Sequence, residues 1–579
     1  MSEQTAQTAA RTASAAEKKF HNGGLAVVAT LAAHGVDTIF GIPGTHNLEF
    51  YRHLPAFGIR AITPRHEQGA GYGADGYFLV SGKPGVVITT SGPGLTNVIT
   101  AAATAYAESR PMLILSPGVP IGLERADIGM LHETKDSSGA LSHLLVSSRR
   151  TRTAEGAAQA VADAFALFAS ERPGPVHIEV PLDVLEGQWW GAVPAPQAPR
   201  RPVLDAEMVA AAAEALAGSR SPLIVAGGGA RRASAEVTAL AEALDAPVVT
   251  TANGKGIVDE THPLSLGANV RFPSVQQASA EADVLLVLGS ELADSDLWGG
   301  RIGAGAQAES PDSPTGGTAG GTAGGAAAGT AAGQTVIRCD IDPDQLNKNL
   351  RGDIHVFADT GDFLAALLKT PQLTGGEQTG RDGQQRVAQL RSAFQSDFDF
   401  GSTNVTLHEV ITAAAGEDVI IAGDSSQVTY DGTVHALTAH TPDQLLYMPG
   451  FATLGYGIPA AIGAKLADPS RPVVCVVGDG AAMFSIQDIV TAVELSLPIP
   501  FIIVDNGGYA EIEYQMNDRD MDPFAVRLHR PDFAALGESM GARGVTITAE
   551  AMETELAAAV RSTLAGDRPA VIRVTLPGA

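Results

Sequence analysis

Short apolar runs, each closed by glycine and polar residues, alternate along most of this chain with stretches whose apolar positions recur at helical spacing. The sharpest case lies between Arg471 and Glu513. Val473 to Val477 is an apolar run that ends abruptly in Gly478-Asp479-Gly480. Ile486, Ile489, Val490 and Val493 then mark a helix, and a second run, Phe501 to Val504, stops at Asp505-Asn506-Gly507-Gly508. The pattern predicts strand, helix, strand, with a polar group at the carboxyl end of each strand. In a parallel sheet those ends lie side by side, where open α/β sheets bind ligands. Asp479 and Asn506 would meet there as oxygen ligands suited to a hard ion such as Mg2+. The glycines let backbone approach a diphosphate, and the helix amino end after Gly480 favours negative charge.

The same alternation starts near Gly23. Strands are expected at Thr38-Ile39-Phe40, Ala61-Ile62-Thr63, Val86 to Thr89, Leu113 to Ser116 and Val176 to Val180. Past a Pro-rich stretch, Val193 to Pro202, they resume at Pro222 to Ala226, Val248 to Thr251, Val284 to Leu288 and Val336 to Ile341. A polar linker comes next, near Gly375 to Gln385. This calls for an α/β protein of three doubly wound parallel-sheet domains, 21–190, 203–370 and 386–579, after a disordered tail, 1–20. Gly227-Gly228-Gly229 ends a strand but lacks the full Gly-x-Gly-x-x-Gly pattern, so it reads as an ordinary turn. Residues 303–334 are Gly/Ala/Thr/Ser repeats that cannot bury enough apolar surface to offset ordering, which predicts a mobile surface loop.

Length and charge narrow the partners. The chain has 579 residues and a formal net charge of -26, which argues against nucleic acid and anionic membranes. Its 2 cysteines, Cys339 and Cys475, lie in apolar runs and read as core residues, not as a redox or metal pair. No apolar stretch approaches the ~20 residues that span a bilayer, and the first residues lack the apolar core of a signal peptide. A cytoplasmic protein is expected.

Glu67, in Arg65-His66-Glu67 before a helix of glycine and alanine, sits at a strand's carboxyl edge. Taken alone, it would be read as an acid in a helix's first turn. Its neighbourhood says more. Thr63 to Tyr77 (TPRHEQGAGYGADGY), Thr90 to Pro111 (TSGPGLTNVITAAATAYAESRP) and Met448 to Ala464 (MPGFATLGYGIPAAIGA) resemble the acetohydroxyacid synthase and 2-oxo acid decarboxylase group of thiamine-diphosphate enzymes. Gly-Asp-Gly followed some two dozen residues later by Asn is similar to that family's cofactor signature. The resemblance covers nearly the whole chain apart from the tail and the 303–334 segment.

That resemblance implies a division of labour. Asp479, the Asn506 side chain and the Gly508 carbonyl would ligate Mg2+, with Gly478 and Gly480 beside the diphosphate. Glu67, from a second subunit, would hydrogen-bond the aminopyrimidine, and Leu454 would hold the cofactor bent. A homodimer or homotetramer is therefore expected. The implied reaction is loss of CO2 from a small-molecule 2-oxo acid. The carbon left behind is then protonated to an aldehyde or joined to a second carbonyl, and protein side chains choose between these. Thr45, His46, His132 and Glu511 are the candidates for that choice: the histidines as proton carriers, Glu511 as a proton relay or the partner of a cationic tail. Glu513, two residues on, cannot share its helix face. Thr45 departs from the Asp of pyruvate-type decarboxylases. GIPGTHNLEFYRHL, LHE and GGYAEI resemble most the branch that decarboxylates 5-guanidino-2-oxopentanoate to 4-guanidinobutanal, with an acetolactate synthase-like carboligase as the alternative. A non-catalytic protein on the same fold is a third reading, disfavoured by the joint presence of Glu67, Asp479 and Asn506. After Gly289-Ser290-Glu291 the Arg-Phe-Asp-rich stretch of many such synthases is missing, which argues against FAD.

Overall fold

The computed structural model describes residues 21–304, 333–374 and 381–576; the tail 1–20, residues 305–332 of the repeat segment and 375–380 of the linker lie outside the described residues. The chain divides into two compact units, one running to Arg200 and taking in Ile462–Asp468, the other comprising Arg201–Ala461 and the chain from Pro469.

The first unit holds a sheet of β1 (Thr38–Gly41), β2 (Arg60–Ile62), β3 (Gly85–Ile88), β4 (Met112–Gly118), β5 (Ser147–Arg150) and β6 (Pro175–Pro181). Its spatial order is β2-β1-β3-β4-β6-β5, and every pairing is parallel. Residues 189–205 carry no helix or strand.

The second unit holds two sheets. One orders β7 (Pro222–Ala226), β8 (Val248–Thr250), β9 (Val284–Leu288), β10 (Thr335–Asp340) and β11 (Ile354–Phe357) as β11-β10-β9-β7-β8. The other orders β12 (Ile420–Ala422), β13 (Leu445–Leu446), β14 (Val473–Gly478), β15 (Pro500–Asp505), β16 (Arg543–Thr548) and β17 (Ala570–Thr575) as β13-β12-β14-β15-β17-β16. All of their pairings are parallel too.

Continuous apolar strands are what such sheets need, because both faces are covered. The five-stranded sheet shows this directly. Ile224, Ala226, Leu286 and Leu288 enter one core cluster, while their neighbours Leu223, Val225, Leu285 and Val287 enter a second on the opposite face. Three doubly wound parallel sheets are therefore the architecture, as the alternation predicts. Parallel strands also put all their carboxyl ends on one edge of each sheet, and the loops from those ends build the site.

Two local differences from the sequence reading matter. The helix expected after Gly480 is broken: Asp479–Ala482 is one helical turn, and Ile489–Glu494 begins only after a separate turn at Ile486–Asp488. The triple glycine serves packing. A side chain on Gly229 would lie 2.8 Å from the Gly289 Cα, and one on Gly227 would lie 2.5 Å from the Gly289 carbonyl oxygen. The repeat segment is pinned at its described ends. The Gln334 amide donates to the Ser279 and Ala282 carbonyls, at 2.8 and 2.7 Å, and accepts from Ala304 N–H at 2.8 Å.

Candidate active site

The predicted site residues fall into two groups, one in each unit. In the second unit, β14 ends with Gly478 and hands Asp479 to the first helical turn, 2% exposed. Its neighbour β15 ends at Asp505, so Asn506 and Gly508 come alongside. The end atom of the Asn506 amide lies 3.1 Å from Asp479 Oδ1 and 3.2 Å from the Gly508 carbonyl oxygen. Turned one way the amide donates to both; turned the other, its oxygen stands about 3 Å from each of two other oxygens, an arrangement that a bound cation would stabilise. Gly508 is obligatory at this point. Its φ is 128°, and a Cβ would sit 2.3 Å from the Val526 carbonyl oxygen.

Charged groups surround the cluster. Asp505 is fully buried and held by Arg573 Nε at 2.8 Å and by Arg530. Burial, and then the Asp505 charge, push the Asp479 carboxyl up to about 6. Asp479 Oδ2 and Ser426 Oγ are buried without a hydrogen-bond partner, and both residues line one cavity of about 390 Å³. Buried polar atoms of that kind call for a ligand. Among the described residues no three His, Cys, Asp or Glu side chains converge as a metal cluster, so a cation here would depend on the amide, the carbonyl and the ligand's own oxygens.

Gly478, Gly480 and Leu454 line the same cavity, and so does Glu511. Gln427 Nε2 donates to Glu511 Oε2 at 3.1 Å and Gln515 Nε2 to Oε1 at 2.9 Å, which fixes the carboxylate. Glu513 points elsewhere and pairs with Arg527, which is 80% exposed, as expected of a solvated acid.

In the first unit, Glu67 opens the helix Glu67–Ser81 and is 7% exposed. The helix cap is His66, whose ring accepts from Gln68 N–H, so Glu67 is not spent on capping. Its Oε2 accepts from Asn97 Nδ2 at 2.9 Å. A side chain on Gly94 would come within 3.1 Å of its Oε1 and within 2.9 Å of Thr90 Cγ2, so the loop after β3 must stay bare. Thr89 Oγ1, Thr90 Oγ1 and Tyr51 OH are buried without partners, and burial followed by the Glu67 charge raises the Tyr51 phenol.

His46 and His132 come together, their ring centres 5.2 Å apart. Ser91 joins them, its Oγ lying 2.6 Å from His46 Nδ1 and 3.5 Å from His132 Nδ1. His46 is pushed below its usual pKa, first by burial and then by His132, so the pair resists carrying two protons. Gly92, at φ 61°, accommodates this contact, since a Cβ would lie 2.8 Å from His132 Cβ. Thr45 is exposed and is not drawn into the pair.

Sequence reasoning missed several participants. Asn97 and Ser91 lay inside the motif already singled out. Asp424 follows β12 in a Gly-Asp ending like that of β14, a signal that could have found it. It is 1% exposed, accepts from Gly455 N–H at 2.8 Å and Gly457 N–H at 3.2 Å, and is pushed by burial up to about 6. Asp294, Trp298 and Tyr430 line the cavity with no sequence signal at all.

Three parallel sheets, with a buried acid at one strand edge and a Gly-Asp-Gly and Asn oxygen cluster at another, define a thiamine-diphosphate enzyme. The family models agree: the N-terminal TPP binding domain matches residues 21–140, the central domain 209–367 and the C-terminal TPP binding domain 424–574. A probable 2-ketoarginine decarboxylase of Pseudomonas aeruginosa is 38% identical over 90% of this chain and 89% of its own length. A probable acetolactate synthase large subunit of Methanocaldococcus jannaschii is 31% identical over 90% and 86%, and the acetolactate synthase isozyme 1 large subunit of Escherichia coli 31% over 86% and 84%. The chain belongs to the thiamine pyrophosphate enzyme family. No helix among its described residues is long and apolar enough to cross a membrane.

Proposed function

We propose that this enzyme removes CO2 from a 2-oxo acid with a cationic tail, 5-guanidino-2-oxopentanoate being the best fit, and releases 4-guanidinobutanal. The observation that carries the reading is the charge of the cavity. Asp294, Asp479 and Glu511 line it, and no Lys, Arg or His is among its lining residues. With Asp479 committed to a cation, Glu511 and Asp294 leave a surplus of negative charge that suits a guanidinium. The similarity to a probable 2-ketoarginine decarboxylase supports the same substrate.

The residues fit the cofactor. Asp479, the Asn506 side chain and the Gly508 carbonyl, brought together at two neighbouring strand ends, would hold Mg2+ as hard oxygen ligands. Ser426 Oγ supplies a donor to the diphosphate. Thiamine diphosphate, when bound, supplies the electron sink for decarboxylation. Glu67, steadied by Asn97, holds a proton at a cofactor ring nitrogen, and its dry setting strengthens that exchange. The His46–Ser91–His132 group carries the proton that the aldehyde carbon gains; Ser91 accepts from one ring while donating to the other. Leu454 shapes the apolar wall, and Thr45 borders the histidine pair. FAD has no part in this reading, because the Arg-Phe-Asp-rich stretch of many such synthases is missing after Gly289-Ser290-Glu291. The working form is a cytoplasmic homodimer or homotetramer.

The test is product identity. Protein with thiamine diphosphate and Mg2+ is given 5-guanidino-2-oxopentanoate or pyruvate, and products are read by mass spectrometry. CO2 and 4-guanidinobutanal from the first substrate alone support the proposal. Acetolactate from pyruvate, with the guanidino acid untouched, replaces it with carboligation.

A further inference from the structure

One wall of the cavity carries an exposed indole. It comes from the loop after β9, where the helix Asp294–Leu297 leads into Trp298. Trp298 has φ 50°, a left-handed conformation that a large side chain rarely adopts, and its N–H is tied to the Asp294 carbonyl at 2.7 Å. The Arg271 guanidinium lies 4.0 Å from the indole centre. Arg271 also donates to the Tyr430 carbonyl at 2.7 Å and pairs with Asp431 at 3.6 Å. The Tyr430 ring meets the indole edge-on at 5.4 Å. Arg271 is thus committed as a brace, and the side chain it braces is an indole that remains 43% exposed on the cavity wall. An unusual backbone, a buried cation and an aromatic contact hold in place a side chain that the core does not bury. Backbone strain of this kind collects where a ligand is gripped.

We propose that Trp298, with Asp294, selects the substrate's tail. A planar, delocalised cation lies against the indole, while the Asp294 and Glu511 carboxylates accept its N–H donors. A guanidinium suits both demands, because it stacks on aromatic faces and fits carboxylates with its fork of donors; a compact, strongly hydrated ammonium suits only the second. A neutral ureido group has the same planar shape, but it lacks the charge and presents a carbonyl oxygen to the carboxylates where the guanidinium presents N–H donors. The inference rests on the reading of the cavity as the site of a guanidino 2-oxo acid, and it assigns that preference to the central sheet's loop, away from the Mg2+ ligands.

The test uses the enzyme loaded with thiamine diphosphate and Mg2+, and two unreactive probes without the keto group: 5-guanidinopentanoate and 5-ureidopentanoate. Calorimetry should find the guanidino probe bound about 30-fold more tightly by the wild type. Trp298→Leu and Asp294→Asn should each cut that ratio about 10-fold, mainly by weakening the guanidino probe. In turnover, the ratio of kcat/KM for the corresponding 2-oxo acids should fall in step. Equal binding of the two probes by the wild type overturns the proposal, as does an unchanged ratio in Trp298→Leu. Should that variant lose its fold on melting, the exposed Asp294 decides, and an unchanged ratio in Asp294→Asn is then the overturning result. Failure of the decarboxylation reading looks different: neither 2-oxo acid reacts, pyruvate yields acetolactate, and the binding ratios still report on the tail site.

Discussion

The sheets β1–β6 and β12–β17 have the same strand order, so each strand of one has a counterpart in the other. The residues just past the strands differ completely. In the first sheet, β1 leads to His46, β2 to Glu67 and β3 to Thr89, Thr90 and Ser91, so an imidazole, a buried carboxylate and hydroxyls follow its strands. In the second, β12 leads to Asp424, β14 to Asp479, and β15 ends in Asp505 and Asn506. These are oxygens held by two arginines at Asp505 and by backbone N–H groups at Asp424. The shared order sets where strand ends can present a side chain, and the loop residues decide which chemistry is presented. On the proposed function one scaffold serves twice, for proton exchange with a ring and for capture of a metal and phosphates.

If that contrast is correct, matched changes at Glu67 and Asp479 should fail in different ways. Glu67→Gln should lower turnover about 10³-fold, while the dissociation constant for thiamine diphosphate changes less than about 10-fold and the circular dichroism spectrum is kept. Full activity in the purified variant would erase the distinction. Asp479→Asn should instead weaken Mg2+-dependent cofactor binding about 100-fold, because a buried anionic ligand is lost next to Asp505. Titration of the cofactor at several Mg2+ concentrations measures this, and unchanged affinity would remove Asp479 from the metal site.

Glu511 tests the cavity from a third side. Glu511→Gln should reduce kcat/KM for 5-guanidino-2-oxopentanoate about 30-fold more than for its ureido counterpart, the scale of one hydrogen bond to a charged group lost. Equal losses on both would assign Glu511 to proton transfer. Glu513→Gln is the control, since its exposed pair with Arg527 contributes little.

How much of the fold and site was legible in the sequence depends on where each residue stands. Buried central strands announce themselves: Pro222–Ala226 and Val284–Leu288 match the apolar runs residue for residue. Sheet edges do not. β5 is Ser147–Arg150, with no apolar residue in it, and β16 is half-exposed along most of its length; neither has a buried face to write a pattern. In the candidate site, Asp479 and Asn506 were readable because each sits directly after a strand, and Glu67, which opens a helix after the loop 63–66 that follows β2, was readable only through the family resemblance of the segments around it. Trp298 and Asp294 were not, because an exposed side chain on a loop has no periodicity, and only the fold brings it to the cavity shared with Glu511. The break in the helix after Asp479 was hidden for a related reason: Ile486 and Ile489 are buried whether or not the turns between them are continuous.

The smallest effect sharpens the comparison through pH. Each six-stranded sheet holds, in a strand or just past one, a buried titratable side chain whose charged form burial disfavours. In the first, His177 is fully buried in β6, between Ser116 and Ser148 at 2.8 Å each, and burial lowers its pKa to about 3. A histidine held neutral contributes stability that is complete above its unfolded pKa of about 6.5 and is lost as pH falls towards the folded value. In the second, burial raises Asp424 to about 6. Its contribution has the opposite sign: present in full below the unfolded value of about 3.9 and lost as pH rises through about 6. Both windows include the interval from pH 6 to pH 5. Across it, the stability of the wild type relative to His177→Asn should fall by about 1 kcal/mol, and relative to Asp424→Asn it should rise by about 1 kcal/mol. Urea unfolding of the three proteins at the two pH values measures both, and taking differences cancels the other titrating groups, including His408, which burial lowers to about 4. Shifts of the same sign in both pairs would mean that the two sheets do not hold their buried groups neutral in opposite protonation states, one deprotonated and one protonated, and the electrostatic half of the comparison would fall.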